Sequence, residues 1–226
     1  GTGSGGSIWL DVGTLRGAGL IRARGGDRSF TSSPNYIRSA GSGGRVALYY
    51  TTLDGFDAAA QVSAPGGIPY EDAAYRRGGA GTVYLRDKAQ AAGVVRIDNG
   101  ATGKNAAETE IAVDLLDRLE IAHANVRLVG DRTLASVSVV DGWLRHAGSL
   151  TLTGGYTWGA GSYIEHQGPF GDALSDIVVS DSGTLLVNGP QRWRSLTLSN
   201  GAMLTHSVAA SGSSTGPGAD VTVETM

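Results

Sequence analysis

The sequence predicts an all-β chain wound as a β-solenoid, with about 20 residues per coil and roughly eleven coils over 226 residues. Three observations carry this. Apolar residues alternate with period two in short runs such as residues 7–10 (SIWL), 82–85 (TVYL) and 136–140 (SVSVV). Glycine supplies 36 residues, about twice its usual share of ~7%, against 6 prolines, so the excess belongs to backbone geometry. Glycine-rich segments also return at fixed spacing.

In the first half three segments align, starting at Gly3, Gly41 and Gly78. Each has a small-residue cluster, an alternating strand, a connection and a second short apolar strand (LIRA, QVSA, VVRI). Ile8 to Val46 is 38 residues and Val46 to Val83 is 37, so one unit holds at least two strands. Corners need a residue that takes positive φ or allows another backbone close by, and glycine does both.

In the second half VSVVDGWLRHAG, IVVSDSGTLLVNG and LTLSNGAMLTHS share one shape: strand, Asp or Asn near Gly, strand. The turn glycines Gly142, Gly161, Gly183 and Gly201 are 19, 22 and 18 residues apart. Asn and Asp tolerate the same left-handed region. Residues 106–124 (AAETEIAVDLLDRLEIAHA) suit either a short helix, through Ile111, Leu115 and Leu119, or further strands, with strands favoured. A β-sandwich or barrel competes on strand content alone, but it expects hairpins and no 19-residue register. The domain reading is one β-helix fragment over 1–226: glycine-rich repeats with loops over 1–100, an irregular coil or helix over 101–135, regular coils over 136–226 and a Gly/Ser loop near 208–220. The chain reads as a piece of something longer.

Hydrophobic residues at 41% and charged residues at 17% exclude a disordered chain. The net charge of −3 gives no electrostatic case for nucleic acid or an anionic membrane. No run approaches the ~18 apolar residues of a membrane span, so no membrane insertion is expected. The absence of cysteine removes disulfides and thiolate sites.

The segments GGSIWLDVGTLRGAGLIRARGG, GSGGRVALYY and GGAGTVYLRD…IDNG resemble the glycine-rich repeats of very large bacterial surface or secreted proteins. The tail SLTLSNGAMLTHS is similar to the segment that follows those repeats. The match covers most of the chain except about 101–135. The resemblance implies a right-handed parallel β-helix of pectate-lyase-like shape in an extracellular, adhesin-type architecture. It names no substrate and no catalytic residues.

Histidine is the most suggestive feature. His146, His166 and His206 each follow an aliphatic residue by two positions, and Asn188 falls where the remaining coil would place its equivalent. In register these would stack at ~4.8 Å per coil. A stacked polar ladder at a corner is favoured over a metal or pH-sensing site, and only His146 and His166 are close enough to share an ion. Carboxylates are scattered, and most sit beside glycine at turns. Asp54–Asp57 (DGFD) and Tyr70-Glu71-Asp72 are the best local clusters. GTGSGG, GSGG and GGAGT lack the Lys-Ser/Thr of a phosphate loop, so corner glycines explain them.

Among the aromatics, Trp158 in GGYTWGAGSY is flanked by glycines and reads as exposed, as sugar stacking would need. Trp9 and Trp143 lie in alternating strands with one face on the core. Insertions at 24–44 and 65–79 would lie side by side on one face. The ligand-binding candidates are therefore Tyr36, Arg38, Tyr70, Tyr75, Arg76 and Trp158. No catalytic residue, metal or cofactor is assigned.

The expected function is a structural and adhesive rod module of an exported bacterial protein, extracellular or at the cell surface. Its partners would be a glycan or surface protein and the neighbouring coils of the parent chain, with end-to-end self-association through open sheet edges. The alternative is a carbohydrate-active β-helix enzyme, a polysaccharide lyase or glycoside hydrolase, which needs paired carboxylates in a groove.

Overall fold

The structure, a computed structural model, describes residues 2–28, 39–69, 76–112, 116–154, 156–168, 170–171, 175–206 and the backbone of 219–223. The chain is all-β, wound as a β-solenoid. It forms two compact units, residues 1–109 with 122–125, and 110–121 with 126–226.

The first unit contains β1 (Ser7–Arg16), β2 (Ile21–Arg22), β3 (Arg45–Asp54), helix α1 (Ala58–Gln61), β4 (Val62–Ser63), β5 (Thr82–Asp87) and β6 (Gly93–Asp98). β1, β3 and β5 pair in parallel, with Ser7 opposite Arg45 and Arg45 opposite Thr82. The partners are 38 and 37 positions apart, the two periods of the sequence. Ile8, Val46 and Val83 form one column, and β2 pairs β4 through Ile21 and Val62 on the other wall. One turn here takes 37–38 residues, so an even division of the chain into eleven coils does not describe this unit. Val46, Leu48, Phe56, Val62 and Val83 are buried between the walls. Each buried aliphatic side chain contributes about 1.5–3 kcal/mol.

The third repeat departs from the pattern. Its second strand, β6, does not form the second wall but folds back antiparallel on β5, with Tyr84 opposite Val95. β1 and β3 run ten residues before turning, and β5 runs six. Asp87 stops it: its carboxylate accepts from Ala89 N–H at 2.9 Å, and its carbonyl accepts from Gln90 N–H at 2.9 Å.

The glycine clusters lead into the strands as extended segments, and the middle one is packed on more than two sides. Residues 40–44 exchange hydrogen bonds with residues 3–6, 23–26, 64–67 and 79–82; Gly41 N–H donates to Gly26 O, Gly43 N–H to Gly79 O, and Gly67 N–H to Gly41 O. A sheet strand has two such neighbours, whereas residues 40–44 have four. Only glycine fits between backbones this close, as at the axis of collagen. A Cβ on Gly44 would lie 2.0 Å from Gly6 O, and one on Gly81 would lie 1.9 Å from Gly44 O. Close approach is thus the reason for these glycines.

The second unit carries β7 (Thr109–Ile111), β8 (Leu116–Ala122), β9 (Asn125–Val129), β10 (Arg132–Leu134), β11 (Ser136–Val140), β12 (Trp143–Ala147), β13 (Leu150–Leu152), β14 (Tyr156–Trp158), β15 (Tyr163–Gln167), β16 (Asp176–Val179), β17 (Thr184–Trp193), β18 (Ser195–Leu198), β19 (Met203–Thr205) and β20 (Ala219–Val223). Three sides recur. One holds β7, β9, β12, β15, β17 and β19; a second holds β10 and β13; the third holds β8, β11 and β14, with β16 pairing β18. Trp143 pairs Tyr163, Tyr163 pairs Thr184 and Thr184 pairs Met203, steps of 20, 21 and 19 residues. Leu144, Ile164 and Leu185 form a fully buried column.

Positive φ marks two corners. His123, Asp141, Gly161, Asp181 and Asn200 precede strands of the long side, Gly130, Gly148 and Gly168 follow β9, β12 and β15, and Gly189 marks the equivalent bend within β17. The first set matches the expected Asp/Asn-Gly corner, although at Gly142 and Gly183 the aspartates before them take the left-handed turn. The second glycine corner was not expected. Residues 106–124 are strands, not helix, in their described part. Leu116, Leu119 and Ile121 are buried in β8, and the three-residue step between the first two imitates a helical period.

Candidate functional site

The outward face of β1, β3 and β5 carries an aromatic strip. Ile8 and Leu10 turn to the core, so Trp9 between them points out and is 70% exposed. Its register partner on β3 is Ala47, and Ala47 pairs Tyr84 on β5. The small alanine leaves a notch, which the ring of Tyr49, two residues along β3, fills. Trp9 and Tyr49 have centroids 4.9 Å apart with planes at 33°, and Tyr49 meets Tyr84 at 5.6 Å and 61°. A Cβ on Gly93 would fall 2.8 Å from the Tyr84 ring, so this glycine makes room for it. Burial, then the neighbouring Tyr49, pushes the Tyr84 hydroxyl above its usual range, and it stays a protonated donor at neutral pH.

A charged pair borders the strip: Lys88 pairs with Asp11, the residue opposite Tyr49. The face combines ring faces for apolar contact with a polar rim for orienting hydrogen bonds, the composition that suits a sugar chain.

The candidates from sequence fall elsewhere. Trp158 is 1% exposed, which corrects the reading of it as a surface residue. In β14 Tyr156 and Trp158 both face inward and Thr157 faces out. The Trp158 ring packs on Tyr156 and Phe170. Arg76 is half-buried beside the glycine segments, and its carbonyl accepts from Ala40 N–H at 2.9 Å. Tyr36, Arg38, Tyr70 and Tyr75, and the Tyr70–Asp72 cluster, lie outside the described residues.

His146 and His166 pair across β12 and β15 and are almost fully buried. Their rings lie 21° from parallel with centroids 4.8 Å apart, and their Nδ1 atoms meet at 2.9 Å. Nε2 of His146 is 2.8 Å from Gly130 O, which can only accept, so His146 carries its proton on Nε2. Its Nδ1 is then the acceptor, and His166 Nδ1–H donates. Burial, against the help of Gly130 O, lowers the pKa of His146.

Asn188 does not join this column. It pairs with Gln167, and Val187 stands opposite His166. Leu185, Leu186 and Val187 are all buried, so alternation could not say which leucine matches Ile164, and the alignment slipped by one. His206 follows the last pair, Leu186 with Thr205, and is exposed. The ladder is a pair, not a row of four.

The carboxylates serve the backbone and ion pairs. Asp57 caps α1 by accepting from Ala59 and Ala60 N–H, which with the Arg16–Asp54 pair accounts for the DGFD cluster. Asp131 accepts from Ser149 N–H at 2.7 Å. Among the described residues no three His, Asp or Glu side chains are grouped to hold a metal. A shallow cavity of about 240 Å³ on the long side of the second unit is lined by Arg127, Arg145, Glu165, Gln167, Val129 and Ala147 among others. Its arginines are engaged with Glu110 and Glu165.

Sequence reasoning missed Trp9 as a surface residue, although the signal was present. In SIWLD, Ser7, Trp9 and Asp11 share one face, and two of the three are polar.

No protein-family model matches the chain, and neither a curated protein nor a solved structure matches it.

Proposed function

We propose that this chain is a structural and adhesive module of an exported bacterial surface protein, a right-handed parallel β-helix that holds a glycan against the Trp9–Tyr49–Tyr84 strip. The observation that carries this reading is the exposure of Trp9 at 70% beside two half-buried tyrosines whose rings follow it across the paired strands β1, β3 and β5. An exposed indole braced by tyrosine rings on a sheet loses little entropy on binding and offers a face on which a pyranose ring stacks. The stacked repeats supply stiffness, because paired strands and glycine segments tie one repeat to the next. The test is calorimetric titration with β-linked glucose and N-acetylglucosamine oligosaccharides. Binding that weakens at least tenfold in Trp9→Ala, with an unchanged melting temperature, is expected. Binding indifferent to Trp9, or absent across a broad polysaccharide panel, contradicts the reading.

A further inference from the structure

We infer that the free side of β1 is a docking face for one more glycine-rich repeat of the same kind, lying parallel to β1 as β1 lies to β3. Equivalent glycines of the three repeats differ in what covers them.

The register places Gly3, Gly41 and Gly78 in one column and Gly6, Gly44 and Gly81 in another. In the second and third repeats every one of these glycines is buried, and a Cβ would strike the preceding repeat: Gly41 meets Gly3 O, Gly44 meets Gly6 O, Gly78 meets Gly41 O, all at 2.0 Å, and Gly81 meets Gly44 O at 1.9 Å. At Gly3 and Gly6 the same direction is open, with no described atom within 4 Å, and both residues are exposed. The opposite row repeats the contrast. A Cβ on Gly67 would lie 2.2 Å from Gly26 O, whereas one on Gly26, its register equivalent, would meet nothing nearer than Gly3 O at 3.2 Å.

The backbone and the core agree. Arg45 N–H donates to Gly6 O and Thr82 N–H donates to Gly44 O, so Ser7 N–H is the donor that would reach a repeat placed on β1. Val46 and Leu48 are buried, but Ile8 and Leu10 at the same positions of β1 are only half covered. The face thus continues the interface already present between repeats. Its occupant presents carbonyls toward Gly3 and Gly6 and an apolar strand over Ile8 and Leu10, which is what residues 40–50 present to the next repeat.

The test joins a second copy of residues 40–77 directly ahead of Gly3 and follows amide hydrogen exchange. Exchange at Ser7 and Trp9 slows at least tenfold in the extended chain, and Gly3→Ala with Gly6→Ala restores the original rate. The same two substitutions in the unextended chain leave its melting temperature unchanged. Unaltered exchange on extension overturns the proposal, as does equal damage by the substitutions in both chains. A concentration-dependent dimer of the unextended chain with Ser7 protected gives the face to a second copy and also overturns it.

Discussion

His166 donates from Nδ1 to Nδ1 of His146 at 2.9 Å, inside the second unit and beside the Phe170 ring. Around His146 stand Gly130 O, Asp131 and Arg132, of which the first two favour its charged form and the third opposes it. Burial outweighs them, so the folded pKa lies below the ordinary 6.5. The unfolded chain binds this proton more readily, and stability therefore rises with pH. The contribution is present above about pH 6.5 and is lost as pH falls below it. Melting temperature measured between pH 7.5 and 5 should fall with pH, and His146→Phe should flatten that slope. An equal slope in the variant would place the proton elsewhere.

Glycine substitutions should split by position. Gly81→Ala puts a methyl 1.9 Å from Gly44 O, with only backbone to give way. We expect a loss of at least about 4 kcal/mol in denaturant unfolding of the first unit. Gly13→Ala in β1 meets nothing within 4 Å and should be neutral or stabilising, by up to about 1 kcal/mol. Comparable losses at both positions would mean that the glycines are not there for close approach.

Two tryptophans should behave oppositely. Trp158→Ala removes a fully buried ring packed on Tyr156 and Phe170 and should cost about 3–5 kcal/mol. Trp9→Ala should leave stability within about 0.5 kcal/mol and remove any sugar-dependent fluorescence change. A stable Trp158→Ala protein would contradict the inward orientation of β14.

Asp176 accepts from Arg194 Nε at 2.8 Å and from Ser195 Oγ at 2.6 Å. These partners, the arginine first, hold its pKa at about 2 instead of 3.8. The stabilisation is present above about pH 3.8 and disappears as pH falls toward 2. Carbon-detected NMR titration of the carboxyl should find that low midpoint, moving back toward 3.8 in Arg194→Leu. A midpoint near 3.8 in the unaltered protein would show the ion pair to be absent in solution.

Much of the fold was legible because stacking repeats itself in the residue pattern. The 38- and 37-residue steps from Ile8 to Val46 to Val83 are the strand register, and His146 and His166 meet because both follow an inward aliphatic by two. What was not legible depends on local competition. Asp87 ends β5 early and turns β6 back, and nothing in VVRI distinguishes it from LIRA or QVSA. The run Leu185-Leu186-Val187 is buried throughout, so periodicity could not fix its register. Glycines on either side of Trp158 suggested exposure, but Gly159 only ends a strand in which Tyr156 and Trp158 face inward.

In-register stacking is the claim on which the rest depends, since it alone brings Trp9, Tyr49 and Tyr84 into one strip. The chain has no cysteine, so an introduced pair reports without background. Ser7→Cys with Arg45→Cys places two outward thiols on directly paired residues of neighbouring strands. Mild oxidation should close that disulfide within one chain, whereas Ser7→Cys with Thr82→Cys, two strands apart at about 10 Å, should stay reduced. Closure of the second pair and not the first would contradict the stacked, parallel winding.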